Sequence, residues 1–164
     1  LSRIEETEFL EARGIAVPNL YRVIALAPPM LRAWLDFAWP LRLHARTSRR
    51  IRELLIVRGA QVSGARYEWA HHVTMALAAG VTQAQIDALA GWEASALFNA
   101  QEKAVLRLAE EVTRGPAASS ACIDALGQHG FGDAEIVEEG PPDVIFSAPT
   151  HERTQRFLTT ILNR

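Results

Sequence analysis

Two stretches of helix-length apolar patterning, 51–62 and 66–79, are interrupted only at Ser63-Gly64, and this pair limits what the chain can fold into. In the first, Ile51, Leu54, Leu55, Val57 and Val62 recur at helical spacing and place apolar surface on more than one side. A helix with so little solvent face belongs at the centre of a bundle, and Thr47 or Ser48 is expected to cap its start. The second stretch carries Tyr67, Trp69, Val73, Met75, Ala76 and Leu77 and stops at Gly80, a residue suited to a left-handed helix end.

The flanking sequence repeats the helix punctuation. Thr82 with Gln85 and Asn99 with Glu102 each make a capping box, the first opening a short helix through Ile86 and Leu89 to Gly91. The second opens an amphipathic helix with Val105, Leu108, Ala109 and Val112 inward and Arg107, Glu110 and Arg114 outward, ended by Gly115-Pro116. Ser120 and Asp133 are expected to cap two further short helices. Ahead of the centre, 7–13 reads as a short helix, and Pro18-Asn19 opens another that Pro28-Pro29 stops. From Met30, the residues Leu31, Trp34, Leu35, Ala38 and Trp39 keep helical spacing until Pro40 kinks or ends the helix. Trp34 and Trp39 are read as core or subunit-contact residues rather than as a stacking platform for substrate. Near the end, Pro141-Pro142 forbids a continuous helix, so a loop is expected before a last helix over about 150–162. No period-two alternation competes, and the expected fold class is all-α. The expectation is a single domain of 1–164, with a core of about 17–137 and the loop and helix of 138–164 appended.

A formal charge of −2 with Lys103 as the sole lysine gives no broad basic field, which argues against a nucleic-acid partner. The single cysteine, Cys122, makes no internal disulfide, and no uninterrupted 18-residue apolar run or N-terminal signal pattern appears. A cytoplasmic protein with no membrane partner is expected.

The chemistry concentrates on the central pair. Glu68 and His72 lie one helical turn apart and share a face, whereas His71 is rotated from that face by about 100°. Glu53, the only acid between Ile51 and Val62, is a second carboxylate for the same region. Histidine donates and accepts protons near neutrality, and a carboxylate partner fixes its tautomer, so His72 is the candidate acid/base. Glu68 or Glu53 is then the orienting carboxylate, and His71 is the second choice. Arg58 and Arg66, flanking the helix junction, are candidates to bind a substrate carboxylate. Adjacent histidines diverge too far on a helix to share one ion easily, so no metal is expected. The competing reading is a buried Glu–His network that only satisfies polar groups between helices.

The segments Arg52-Glu53-Leu54, Tyr67-Glu68-Trp69-Ala70-His71-His72 and Ala79-Gly80-Val81-Thr82 together resemble carboxymuconolactone decarboxylase and the wider alkylhydroperoxidase-D-like superfamily. Pro18-Asn19-Leu20-Tyr21-Arg22, Phe98-Asn99-Ala100-Gln101-Glu102 and the segment 131–137 extend the resemblance to roughly 17–137. It implies an all-helical bundle that assembles into homo-oligomers, commonly trimers or hexamers, with its site near subunit contacts. The peroxidase branch of that superfamily places a glutamate, two cysteines and a histidine where this chain has Glu53, Ala65, Glu68 and His72. Both cysteine places are empty, which removes the thiol chemistry and leaves the Glu-Trp-x-x-His form of decarboxylase-like members. Pro141 and Pro142 also depart from the long apolar helix usual after this segment. The resemblance implies a cofactor-free lyase or isomerase acting on a small organic acid or lactone. The alternatives are an alkylhydroperoxidase-like antioxidant protein and a non-catalytic oligomeric binding protein.

Overall fold

The computed structural model describes residues 17, 19–115, 117–132 and 134–136. The helices expected over 7–13 and 150–162, the loop between 138 and 143, the capping role of Asp133 and the conformations of Pro18 and Pro116 lie outside the described residues. Among these residues the secondary structure is entirely helical, as the periodicity predicts. The chain divides into two compact units between Ala45 and Arg46.

The first unit contains α1 (Asn19–Ile24) and α2 (Pro28–His44). Pro28 and Pro29 do two things: they follow the end of α1, and they occupy the first turn of α2, where a missing N–H costs nothing. The second helix therefore begins earlier than the expected Met30 and continues through Pro40, which does not end it. Tyr21 and Leu31 are buried together, with Val17, Ile24, Ala25, Leu35 and Trp39 packed against them. Trp34 is 41% exposed.

The second unit holds α3 (Arg49–Ser63), α4 (Arg66–Ala78), α5 (Gln83–Ala88) with a 3-10 turn over Leu89–Gly91, α6 (Ala100–Arg114) and α7 (Ser120–Gln128). Ser48 supplies the cap of α3 by accepting from the Ile51 N–H. Gly64, with φ of 68°, turns the chain out of α3 in the left-handed region, and the Ala65 N–H bonds the Ala60 carbonyl at 2.9 Å, a six-to-one closure of the helix end. Gly80 closes α4 in the same way, with the Val81 N–H on the Ala76 carbonyl at 2.9 Å. Both predicted capping boxes are present, Thr82–Gln85 and Asn99–Glu102. The cap of α7 is Ser119 rather than the expected Ser120, because it is the Ser119 hydroxyl that reaches the Cys122 N–H.

Helix α3 is central because its two apolar sides feed two cores. Leu54 and Val57 pack with Ala76, Val81, Ile86, Leu89, Trp92, Phe98 and Leu106. Ile51 packs instead with Ala104, Val105, Leu108, Cys122, Leu126 and Phe131. Leu54 and Leu106 are fully buried, and truncating either to alanine costs about 2–5 kcal/mol by lost transfer energy and cavity formation. No described helix is long and apolar enough to cross a membrane.

Candidate functional site

Helices α3 and α4 are joined by a tight turn and pack together, so residues spaced by one turn on each come face to face. On α3 the facing residues are Arg49 and Glu53, and on α4 they are Glu68, His72 and Met75. Glu53 Oε2 lies 2.8 Å from His72 Nδ1, and Glu68 Oε2 lies 3.2 Å from His72 Nε2. Glu53 is fully buried, the His72 side chain is 13% exposed and that of Glu68 is 45% exposed. The imidazole is thus held between one carboxylate inside the protein and one at its surface.

An ionised carboxylate only accepts, so a hydrogen bond from the ring to Glu53 requires the proton on Nδ1. In a neutral imidazole Nε2 is then an acceptor, and it faces a second acceptor, the Glu68 carboxylate. A hydrogen bond between them needs one more proton, carried by the ring or by Glu68. Nε2 is therefore the atom at which this cluster gains or releases a proton, and it is on the more open side.

The other carboxylate oxygen of Glu53 is held differently. Arg49 Nη2 lies 2.5 Å from Glu53 Oε1, close enough for an ion pair, yet its N–H is directed at Met75 Sδ, 3.4 Å away. Glu53 Oε1 is buried without a hydrogen bond of good geometry. Arg49 was not a candidate on sequence. The available signal was its i, i+4 relation to Glu53 in a helix whose first turn holds arginines and no acid, an unfavourable arrangement at the positive end of a helix dipole.

Of the remaining sequence candidates, His71 is exposed, stacks on Tyr67 with ring centroids 6.1 Å apart, and meets the His72 ring edge-on at 5.4 Å. It makes no contact with either carboxylate of the cluster. Arg66 is exposed at the first position of α4. Arg58 is buried on the α6 side of α3, where its Nε donates to Glu110 Oε1 at 2.9 Å and its two terminal nitrogens bond Glu110 and Gln61. It does not join the His72 cluster.

Glu110 was expected to face outward, but its side chain is only 13% exposed. It also accepts from the Trp92 indole at 2.6 Å and from Arg114. Burial works to raise its pKa, but the hydrogen bonds from Trp92 and Arg58 and the charges of Arg58 and Arg114 hold it below the ordinary glutamate range. Glu110 and Arg114 line an open cleft of about 780 Å³ with Trp92, Glu93, Arg107 and Ser119. The cleft's charges are already matched to one another, since Glu111 takes Arg107 at 2.9 Å and the Ser119 N–H at 2.6 Å. Cys122 is fully buried between α6 and α7, and burial first, then the nearby Glu111, pushes its thiol up to about 11.

Comparison with known proteins agrees with the arrangement of helices. The family model described as carboxymuconolactone decarboxylase family matches residues 28–111, from the start of α2 to the last turn of α6. A separate stretch of similarity, 75% identical over 28 residues, relates 17% of this chain to 11% of the L-cystine import ATP-binding protein TcyC of Bacillus subtilis (strain 168). The chain thus spans about a tenth of that relative's length, and so short a stretch carries no information about the site. The matched family region contains Arg49, Glu53, Glu68 and His72 and more than half of the chain, which belongs to the carboxymuconolactone decarboxylase family.

Proposed function

We propose that the protein is a cofactor-free acid/base lyase or isomerase acting on a small organic acid or lactone, with His72 as the proton carrier. The observation that carries this reading is the bracketing of one imidazole by a buried and a half-exposed carboxylate. Glu53 fixes the ring orientation and the Nδ1 tautomer, leaving Nε2 to exchange a proton. Glu68, being half exposed, moves aside for substrate and returns the proton balance of the ring to solvent. Loss of carbon dioxide from a β,γ-unsaturated acid, or migration of its double bond, needs a proton delivered to carbon and an electron-rich intermediate stabilised until then. An imidazolium beside a substrate supplies the first.

A thiol peroxidase is disfavoured because Cys122 is buried and its thiol stays protonated near neutrality. A non-catalytic binding protein is the remaining alternative. We further propose a cytoplasmic homo-oligomer, a trimer or hexamer, without nucleic-acid or membrane partners. Its support is the family together with Met30, Trp34 and Phe37, which lie at i, i+4 and i+7 on α2 and are 63%, 41% and 66% exposed. A monomer by light scattering at micromolar concentration overturns the assembly.

The deciding test of the chemistry is His72→Gln. It is expected to lower turnover of an unsaturated carboxylic acid or lactone, followed by carbon dioxide release or ultraviolet absorbance, by about 10²–10⁴-fold with helicity unchanged. His71→Gln is expected to be much milder. Full activity in folded His72→Gln protein would overturn His72 as the proton carrier and leave its contacts with Glu53 and Glu68 as a polar network between helices.

A further inference from the structure

Arg49, Arg50 and Arg58 of α3 differ in what their side chains bond. Arg50 donates from Nε to the Gly80 carbonyl at 3.2 Å, and its terminal nitrogens bond Glu102 and, at 3.0 Å, Gln85. Arg58 spends its fork on Glu110 and Gln61. Every one of these acceptors is an oxygen, and each of these two guanidinium groups reaches a carboxylate on α6. Arg49 has one hydrogen bond, and its acceptor is the thioether of Met75, one of the weakest acceptors a protein offers. Its side chain is 37% exposed, and its ion contact with Glu53 leaves Oε1 without a well-aligned N–H.

Within the protein this guanidinium has its ion contact with Glu53 and a sulfur acceptor, and no well-aligned hydrogen bond to an oxygen. Exchanging a sulfur acceptor for a carboxylate gains a charge-assisted bond at little cost, and the planar fork has room for two parallel bonds. The location adds to the argument. Arg49 and His72 contact the two oxygens of one carboxylate, so both belong to the Glu53 cluster. Met75 is one turn beyond His72 on α4 and supplies an apolar wall there.

Resting on the acid/base reading of His72, we propose that Arg49 is the residue that anchors the carboxylate of the substrate, in the role the sequence suggested for Arg58 and Arg66. The anchor is strong for an ionised acid and weak for its ester. Binding withdraws the Arg49 N–H from Met75, and proton transfer at His72 is a separate event.

The test uses the full chain and side-chain nuclear magnetic resonance, with hexa-2,4-dienoate, benzoate and succinate as probes and methyl hexa-2,4-dienoate as the uncharged control. The acids are expected to move the Arg49 Nε–H and Met75 methyl signals, and the ester is expected to leave them in place. Arg49→Met should weaken binding of the acids at least tenfold, Arg49→Lys should retain part of it, and Arg107→Met should retain all of it. Met75→Leu should bind the acids at least as tightly as the parent, because no bond to sulfur is then given up. Acids that leave the Arg49 signal unmoved in the parent protein, or that bind folded Arg49→Met undiminished, overturn the proposal. His72→Gln separates the two ideas, since it is expected to keep acid binding while losing turnover. If His72→Gln keeps turnover while Arg49→Met loses the acids, the chemistry fails and the anchor stands.

Discussion

Along α3, Glu53 and Arg58 lie five residues apart and open onto different partners. At Arg58 the helix meets Glu110 of α6, which accepts from Arg58, Trp92 and Arg114, while Arg58 also holds Gln61. At Glu53 it meets His72 of α4, where one carboxylate oxygen takes an imidazole and the other has an ion contact without an aligned hydrogen bond. Both clusters are charged and set between helices. The Arg58 cluster spends nearly all of its donors and acceptors internally, as a polar group built for stability must. In the Glu53 cluster an Nε2 faces an exposed carboxylate and an arginine holds a sulfur, so its capacity is left for something outside the protein. The degree of internal satisfaction separates a structural polar network from a candidate site more clearly than burial or charge does.

That contrast breaks first if the Glu53 cluster proves to be structural. Glu53→Gln keeps the shape and an acceptor for Nδ1 but removes the charge, and on the proposed chemistry it lowers turnover by about 10²–10⁴-fold, roughly 3–5 kcal/mol in the barrier. Arg49 is more than a third exposed and is solvated when its partner loses charge, so the melting temperature should change little. A large drop in melting temperature with turnover preserved would put Glu53 in the same class as Glu110.

Glu110→Ala tests the other half. It leaves the buried Arg58 guanidinium without its carboxylate and the Trp92 N–H without an acceptor, at a cost of about 3–5 kcal/mol in denaturant unfolding. The kcal/mol loss should come with unchanged turnover per folded molecule.

A smaller effect is expected in acid. Glu110 titrates below its ordinary value of 4.5 in the folded protein, as does Glu111, where hydrogen bonds from Ser119 and Arg107 outweigh the opposing effect of burial. A carboxylate with a depressed folded pKa contributes stability above its unfolded value, and loses it as pH falls through the folded one. Stability should therefore decline as pH falls below about 4.5, and Glu110→Gln should flatten that decline while lowering the plateau at neutral pH. An unchanged acid limb in urea titrations would remove Glu110 from the account.

Much of the fold was legible because helix punctuation is local chemistry. Ser48, Gly64, Gly80 and the two capping boxes mark boundaries through hydrogen bonds made within a few residues. Pro40 left two outcomes open on sequence, a kink or an end, and the helix does not end there. The pairing of Glu68 with His72 was legible for the same reason as the caps, since one helical turn separates them. Glu53 was drawn in by its isolation among apolar residues. The arginines were not sorted, because Met75 and Glu110, which reach Arg49 and Arg58, come from other helices. Nor did the inward turn of Glu110 show in the periodicity of α6, since its partners Arg58 and Trp92 come from other segments.

The smallest expected effect concerns Cys122, and it sharpens the comparison by removing the one other nucleophile from it. Cys122 is packed with Ile51, Val105, Leu108 and Leu126, on the core opposite to that of Leu54 and Val57. Burial is the main cause of its thiol being pushed up to about 11, so at neutral pH the thiolate that attacks a peroxide is scarce, and the sulfur has no exposed surface for a peroxide to reach. The shift also predicts a pH effect on stability with the opposite timing from that of the carboxylates. A thiol with a raised folded pKa contributes stability that is present below its unfolded value, near 9.0, and lost as pH climbs through the folded one. Cys122→Ala replaces a buried thiol by a methyl group and should cost about 1 kcal/mol at neutral pH, by lost burial, with turnover unchanged. It should also remove the loss of stability between pH 9 and about 11. Hydroperoxide turnover by the parent protein that disappears in Cys122→Ala would instead show that this core opens far enough for thiol chemistry, and the distinction between a sealed core and an open site would no longer hold.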